Sequence, residues 1–201
     1  HTDVLLAKTA QACLMINIEG STSSLINSFN EIEQALQHES LIEIQQAETQ
    51  AEKTKLWTAR KALSPILRTI APNKINEDIV IPIPNLAEFI RQVDTLSDQY
   101  QLPIVNFGHA GNGNLHVNIM YDANNEIENK HAQSCLKAIF ALTIELNGTL
   151  SGEHGIGITK RDFMAMELGQ DEINLMHAIK AQFDRNNILN PDKSLPMATI
   201  K

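Results

Sequence analysis

A glycine-rich run at residues 108–114 is the feature that most constrains how this chain can fold. Three of its seven residues are glycine, and it lies between two segments of β-like character, residues 103–107 and residues 115–121. Glycine permits the backbone angles that a tight reversal of the chain requires. We therefore predict two adjacent antiparallel strands joined by a short turn.

The rest of the chain predicts helices interleaved with strands. Capping residues and helical periodicity predict helices, and alternating or β-branched apolar runs predict strands. The helices are expected over residues 21–37, 49–67, 85–99, 128–146, 160–168 and 171–183, and the further strands over residues 12–19, 41–46 and 79–83. Five strands among helices favour an α+β fold, with helices on one face of a largely antiparallel sheet. Residues 148–201 are expected to be mainly helical.

The charge balance excludes some classes of function. The formal net charge is -8, and the basic residues form no clustered run, so nucleic acid is a poor partner. The apolar runs are far shorter than the roughly 20 residues that span a bilayer. A cytoplasmic location is expected, with peripheral membrane association as the alternative.

The termini and the cysteines give weaker indications. Residues 1–3 show neither an initiator Met nor an export signal, so we expect the natural N-terminus to lie elsewhere. Cys13 and Cys135 are far apart and lack the spacing of a metal site. Both are expected to be buried free thiols.

Two glycine-rich loops concentrate the residues that could carry chemistry. The turn predicted at residues 108–114 would bring His109 and His116 to adjacent strand ends, and a second loop holds Glu153 beside His154. Two imidazoles and one carboxylate with open coordination positions suit zinc or another divalent ion that acts as a Lewis acid. Histidines that only bond the backbone of a structural turn would show the same pattern, and spacing alone leaves both interpretations open.

Four further residues are candidates for binding a substrate. Asn118 lies two residues beyond His116 and would project from the same face of a strand. Arg60 and Ser64 are four apart on a predicted helix, so an Arg fork there could hold a carboxylate, although an exposed Arg on an amphipathic helix fits equally well. Lys74 precedes the third predicted strand and is ambiguous.

Five motifs in a fixed order connect these observations to a known family. They are Leu56-Trp57-Thr58-Ala59-Arg60, Lys74-Ile75-Asn76-Glu77-Asp78-Ile79-Val80-Ile81-Pro82, residues 108–116, Gly152-Glu153-His154-Gly155-Ile156-Gly157, and Phe183-Asp184 through Leu189-Asn190-Pro191. Together they span almost the whole chain. The chain resembles the C-terminal domain of FAD-linked oxidases of the vanillyl-alcohol-oxidase type. That group contains D-lactate dehydrogenases, D-2-hydroxyglutarate dehydrogenase and the glycolate oxidase flavoprotein subunit.

The resemblance assigns roles to the two loops. His109, His116 and Glu153 match the family's metal ligands, with zinc or manganese as the ion, and His154 matches its catalytic acid/base. The chain departs from the family pattern at Asn112, where the family usually has Asp, so one charge beside the metal loop is missing.

The resemblance also assigns a substrate pocket. Arg60 is similar to the family's carboxylate-binding Arg, and Ser64 occupies a position where a hydroxyl helps to hold substrate. Asn118 matches a pocket Asn, and Lys74 is a further substrate-binding match whose register varies within the family.

The resemblance further implies a fold, a cofactor and an activity. Residues 1–201 would form a ferredoxin-like cap domain, and FAD would be bound mainly by an upstream domain that is not part of this sequence. The complete protein would oxidise a D-2-hydroxy acid such as D-lactate, D-2-hydroxyglutarate or glycolate to the 2-oxo acid. The electron acceptor and the oligomeric state are left open, with a homodimer among the candidates, and this part alone is expected to be inactive.

Two other classes of function remain to be separated from this one. A stand-alone module or non-catalytic subunit that binds a hydroxy acid without flavin would need the same pocket. A metal hydrolase could use the same ligands, but the sequence offers no evident nucleophile or second metal site.

Overall fold

A computed structural model describes residues 9–196, so the prediction for residues 1–3 lies outside the described part. The chain divides into two compact units, His1–Ile66 and Leu67–Lys201. None of the helices within residues 9–196 is long and apolar enough to cross a bilayer. The helices are α1 (Thr22–Ala35), α2 (Gln50–Ile66), α3 (Leu86–Tyr100), α4 (Glu126–Glu145) and α5 (Gln170–Phe183); the strands are β1 (Asn73–Val80), β2 (Ile104–His109) and β3 (Asn114–Tyr121).

The first unit contains α1 and α2, and both begin at the residues that the sequence indicates. Ser21 caps α1 by accepting a hydrogen bond from the Ser24 backbone N at 3.4 Å. Thr49 and Glu52 cap α2 reciprocally: the Thr49 backbone N donates to Glu52 Oε2 at 2.8 Å, and the Glu52 backbone N donates to Thr49 Oγ1 at 3.3 Å. The two helix predictions in this unit are confirmed.

The two strands predicted in the first unit are wrong, because residues 12–19 and 41–46 form no strand. An alternating apolar pattern forms a strand when one face is buried and the backbone pairs with a neighbour. Here the apolar side chains stay largely exposed, at 66% for Leu14 and 55% for Ile42. Cys13 lies in the same stretch and is an exposed free thiol, contrary to expectation, whereas Cys135 is buried as predicted.

The second unit holds a three-stranded antiparallel sheet with the strand order β1-β3-β2. In chain order the elements run β1, α3, β2, β3, α4, which matches the first five elements of a ferredoxin-like β-α-β-β-α-β unit. Val80 of β1 forms an isolated antiparallel bridge with Thr149, which follows α4 at the point where the sixth element of the unit, its fourth strand, would lie. The predicted α+β class with an antiparallel sheet is confirmed.

The two faces of the sheet have different character because side chains alternate along each strand. Leu115, Val117 and Ile119 of β3 are buried in the core, and His116 and Asn118 point to the opposite face. Helices α3 and α4 cover the core face. Their buried contributions to this core are Phe89, Val93, Ala132, Cys135, Leu136, Ile139, Phe140 and Leu142.

Strand β1 begins earlier than the sequence predicts. The prediction covered residues 79–83, but the strand spans Asn73–Val80 and ends before Pro82, which has no N–H to donate to a ladder. Its early part is polar and includes the buried carboxylates Glu77 and Asp78. Charged residues are seldom buried, so a strand prediction that relies on apolar runs misses the first six residues of β1.

The chain after α4 is less helical than predicted. A 3-10 helix at Arg161–Met166 replaces the predicted α-helix over residues 160–168, and α5 follows as expected. Asp184 then stabilises the turn beyond α5 by accepting hydrogen bonds from the backbone N atoms of Ile188 and Leu189 at 2.9 and 3.0 Å.

Two isoleucines of α4 provide a matched test of the core. Ile139 is fully buried, whereas Ile127 is 66% exposed on the same helix. We expect Ile139→Ala to lower the free energy of unfolding by about 2–5 kcal/mol, because it leaves a cavity in the core. Ile127→Ala should change it by about 0.5 kcal/mol or less. Urea unfolding of both variants measures the difference, and equal effects would contradict this core.

Candidate metal and acid/base site

The turn between β2 and β3 brings the two predicted metal-binding histidines together. His109 pairs with Asn114 and His116 with Phe107, so both imidazoles lie on the face of the sheet opposite the core. Their ring centroids are 5.9 Å apart. Gly113 is required in this turn, since its φ is +78° and a side-chain carbon there would lie 2.0 Å from the Ile81 carbonyl oxygen.

Glu153 approaches both imidazoles from the second glycine-rich loop. Its Oε1 lies 3.2 Å from His116 Nε2 and 4.0 Å from His109 Nε2. One ligand atom from each of the three residues lies within 4.8 Å of the others. The structure therefore brings together the three residues that the sequence singled out, while their role as ligands stays a prediction.

These three side chains fit a divalent metal ion. Zinc bound at about 2.0–2.1 Å in tetrahedral geometry holds its ligand atoms roughly 3.4 Å apart, which is comparable with the 3.2 and 4.0 Å between Glu153 Oε1 and the two imidazole nitrogens. His109 and Glu153 are each about half exposed, so small rotations of their side chains could complete the geometry. Three protein ligands leave a coordination position open, as in catalytic rather than structural sites.

His116 is the most enclosed member of this group. Burial lowers the pKa of its imidazole, and the nearby Glu153 carboxylate acts in the opposite direction. A lowered pKa keeps the ring neutral, which is the form that binds a metal.

His154 lies directly beside these residues. Its ring is nearly parallel to that of His116, with centroids 5.3 Å apart and an interplanar angle of 21°. Its Nδ1 is 3.6 Å from Asp78 Oδ1, too long for a hydrogen bond. The side chain is about half exposed, so its ring is accessible to a small molecule.

Asp78 is a buried acid behind the second loop that the sequence analysis did not single out. Its carboxylate has no solvent exposure, and its Oδ2 accepts hydrogen bonds from the backbone N atoms of Gly152, Glu153 and His154. Burial raises the pKa of Asp78, but hydrogen bonds from Lys160 and from the loop amides outweigh it and lower the pKa to about 2. Its signals in the sequence were the acidic pair at residues 77–78 next to an apolar run and its place in the motif at residues 74–82.

Lys160 neutralises this buried acid and was also missed. Its Nζ donates hydrogen bonds to Asp78 Oδ1 at 2.6 Å, to the Asp78 carbonyl oxygen at 2.6 Å and to the Leu150 carbonyl oxygen at 2.8 Å. Glu77 Oε2 lies 3.3 Å from the same nitrogen. Burial raises the pKa of Glu77, and the Lys160 ammonium opposes that shift.

Gly152 fits against the side chain of Asn114. A side-chain carbon at Gly152 would lie 2.7–2.8 Å from three atoms of the Asn114 amide. A larger residue at position 152 would require either the Asn114 amide or this loop to shift. The glycine before Glu153 is therefore explained by close packing.

Asn118 lies on the same sheet face as His116, as predicted, and is fully buried. Its Nδ2 donates to the carbonyl oxygens of Val105 and His116 at 3.0 and 3.2 Å, and its Oδ1 accepts from Asn76 Nδ2 at 2.8 Å. Asn76 is a neighbour that the sequence analysis overlooked. These bonds fix the orientation of Asn118, and an amide oxygen such as its Oδ1 has a second lone pair that can accept a further hydrogen bond.

The other three substrate candidates lie at the start of β1 and on α2 of the first unit. Lys74 pairs with Met120 of β3. It precedes Asp78 by four residues, which corresponds to about 13 Å along β1. Arg60 and Ser64 are one turn apart on α2, as predicted, with Arg60 partly buried and Ser64 exposed. Their substrate-binding roles stay predictions.

A family assignment agrees with this geometry. The family described as "FAD linked oxidases, C-terminal domain" matches residues 2–194. The chain belongs to this family.

Named relatives of this FAD-linked oxidase domain include three enzymes of related description. It is 34% identical over 193 residues to the "Glycolate oxidase subunit GlcD" of Bacillus subtilis (strain 168), covering 96% of this chain and 41% of that protein. It is 32% identical over 189 residues to the "D-lactate dehydrogenase" of Anaerostipes hadrus, covering 90% and 39%. It is 35% identical over 152 residues to the "D-2-hydroxyglutarate dehydrogenase" of Stutzerimonas stutzeri (strain A1501), covering 73% and 32%. The chain thus spans about two fifths or less of these relatives.

Asn112 stabilises the turn between β2 and β3 of this FAD-linked oxidase domain. Its Oδ1 accepts a hydrogen bond from the Asn114 backbone N at 3.1 Å, which helps to close the turn. Asp would accept the same bond and add a negative charge. The substitution therefore preserves the turn and changes only the charge beside the histidines.

The low pKa of Asp78 predicts a specific acid sensitivity. A carboxyl group whose pKa is lower in the folded state stabilises the fold above its ordinary value of 3.8 and loses that effect as pH falls toward 2. The contribution is about 2 kcal/mol. In metal-free protein, the difference in unfolding free energy between wild type and Asp78→Asn should be full at about pH 5 and shrink by that amount near pH 2. A difference that does not vary with pH would contradict this assignment.

Proposed function

We propose that this chain is the substrate- and metal-binding part of an FAD-dependent dehydrogenase that oxidises a D-2-hydroxy acid to the 2-oxo acid. The observation that carries the proposal is the convergence of His109, His116 and Glu153, with the His154 ring directly beside them. Family membership supports FAD as the cofactor. The relatives are larger proteins, so we assign the flavin mainly to sequence upstream of this chain.

The site is suited to removing the hydroxyl proton of a 2-hydroxy acid. Oxidation to the 2-oxo acid removes that proton and a hydride from the α-carbon, and FAD, when bound, would supply the acceptor for the hydride. A divalent ion held by His109, His116 and Glu153 would act as a Lewis acid and make the hydroxyl more acidic. His154 would accept the proton, since its half-exposed ring lies beside those ligands.

We assign substrate binding to residues other than the three proposed metal ligands. The planar guanidinium of Arg60 would bind the substrate carboxylate in a bidentate manner, with Ser64 one turn away as a further donor. Asn118 would use the remaining acceptor capacity of its Oδ1 near His116. Lys74 completes the proposed set as a second cation.

The nature of the ligands indicates zinc or manganese. Two imidazole nitrogens and one carboxylate oxygen are compatible with either ion, whereas the soft sulfur ligands typical of copper(I) are missing from these three residues.

We also propose that the complete protein is cytoplasmic or peripherally associated with a membrane.

Metal binding by the chain itself tests the ligand assignment. After chelator treatment, calorimetry should show one zinc site, and His116→Ala should weaken zinc binding by at least about 100-fold because it removes a ligand. His38→Ala is the control, since His38 is exposed and its Nδ1 only accepts a local hydrogen bond from the Ser40 backbone N. Equal zinc affinity in wild type and His116→Ala would refute the assignment, and parallel titrations with manganese identify the preferred ion.

Turnover in the protein with its upstream sequence tests the role of His154. D-lactate, D-2-hydroxyglutarate or glycolate should bleach the flavin absorbance, and an artificial electron acceptor should sustain turnover. His154→Gln should lower kcat by about 10²–10⁴-fold, because a general base is lost, while zinc content stays unchanged. Full activity of this variant would exclude His154 as the base. Hydroxy-acid binding without flavin reduction would favour the stand-alone binding module.

A further inference from the structure

The Asp78 carboxylate connects β1 with the loop that carries Glu153 and His154. Its Oδ2 accepts hydrogen bonds from three successive backbone N atoms, those of Gly152 and His154 at 2.9 Å and that of Glu153 between them. Three amides that point at one oxygen fix the path of the loop backbone. Bonds from amides to a carboxylate are stronger than those to a neutral acceptor.

The carboxylate is itself held in place. Lys160 donates to its Oδ1 at 2.6 Å, and the side chains of Asp78 and Lys160 are 0% and 4% exposed. Asp78 and Lys160 carry opposite charges, and each has further hydrogen bonds, as a buried ion pair requires. Asp78 therefore fixes the position of the loop relative to strand β1.

The two side chains that this loop presents depend on that backbone. Glu153 and His154 are each about half exposed, so packing restrains them weakly. Their separations from His116 are nevertheless short: 3.2 Å from Glu153 Oε1 to His116 Nε2, and 5.3 Å between the rings of His154 and His116. A shift of the loop by about 1 Å would be enough to spoil a site whose ligands must lie within about 0.5 Å of their working geometry.

We propose that Asp78 is a positioning residue of the site: it fixes residues 152–154 so that Glu153 reaches the two imidazoles and His154 lies against His116. The inference rests on the proposed function of these residues. Asp78 does not coordinate the ion or touch the substrate, and it acts through the backbone of the loop. The alternative is that Asp78 serves only as a partner for the buried Lys160.

Glu77 offers a matched control for this alternative. It is buried, it precedes Asp78 on β1, and its Oε2 lies 3.3 Å from Lys160 Nζ. Among the hydrogen bonds of residues 9–196, none joins Glu77 to residues 152–154, whereas Asp78 makes three such bonds. Glu77→Gln and Asp78→Asn thus each remove one carboxylate beside Lys160, but only Asp78→Asn changes the acceptor of the hydrogen bonds from the backbone of residues 152–154.

Zinc calorimetry on the 201-residue chain, compared with thermal unfolding of metal-free samples, separates the two roles. Asp78→Asn should weaken zinc binding by about 10–100-fold, as loss of a group that orients a ligand does. Glu77→Gln should bind zinc like wild type even where its melting temperature falls. If Asp78→Asn does not fold, the triple variant Glu77→Gln, Asp78→Asn, Lys160→Met removes all three charges of this buried cluster and should show the same loss of affinity relative to Glu77→Gln.

Amide hydrogen exchange provides a readout that does not depend on metal. The backbone N–H groups of Gly152, Glu153 and His154 should exchange slowly in wild type and in Glu77→Gln, and faster in the Asp78 variants. Wild-type zinc affinity in a folded Asp78 variant would overturn this inference and leave the proposed function intact. A wild-type chain that binds neither zinc nor manganese would overturn both.

Discussion

The pairing of strand β3 with both of its neighbours is the constraint on which the site depends. Because β3 is central and antiparallel to β1 and β2, its register places His116 opposite Asp78 on one side and opposite Phe107 on the other. The alternation of side chains then separates an apolar face, which binds α3 and α4, from a polar face. A slip of one residue would exchange the two faces and bury the imidazoles in the core, so the hydrophobic core enforces the geometry of the polar groups.

The polar face combines rigid and accessible parts. Asp78, Lys160 and Asn118 are buried and extensively hydrogen-bonded, whereas His109 and Glu153 are about half exposed. Leaving a charge unpaired in the interior costs several kcal/mol, which explains why the buried acid has both a cation and three amide donors. The exposed side chains can then reach a ligand from solvent while the groups beneath them stay fixed. This division is the arrangement expected of a preorganised site.

The sequence predicted those parts of the molecule in which local pattern and tertiary environment agree. Capping residues and helical periodicity located the five α-helices, although residues 161–166 form a 3-10 helix where an α-helix was predicted, and the glycine run located the turn at residues 108–114. The pattern failed at residues 12–19 and 41–46, where alternation is present but burial is not, and at the start of β1, where burial is present but the residues are charged. His109, His116 and Glu153 could be named because glycines surround them. Asp78 could not, since its partners are 74 to 82 residues away in sequence and only the fold brings them together.

X-ray absorption spectroscopy at the zinc edge of the zinc-loaded chain tests the central claim most directly. The account predicts nitrogen and oxygen scatterers at about 2.0–2.1 Å, with the multiple-scattering signal of two imidazole rings and no sulfur. The imidazole signal should fall to that of one ring in His109→Ala. A shell with no imidazole contribution, or one dominated by sulfur from Cys13 or Cys135, would show that the two loops do not converge on a metal ion.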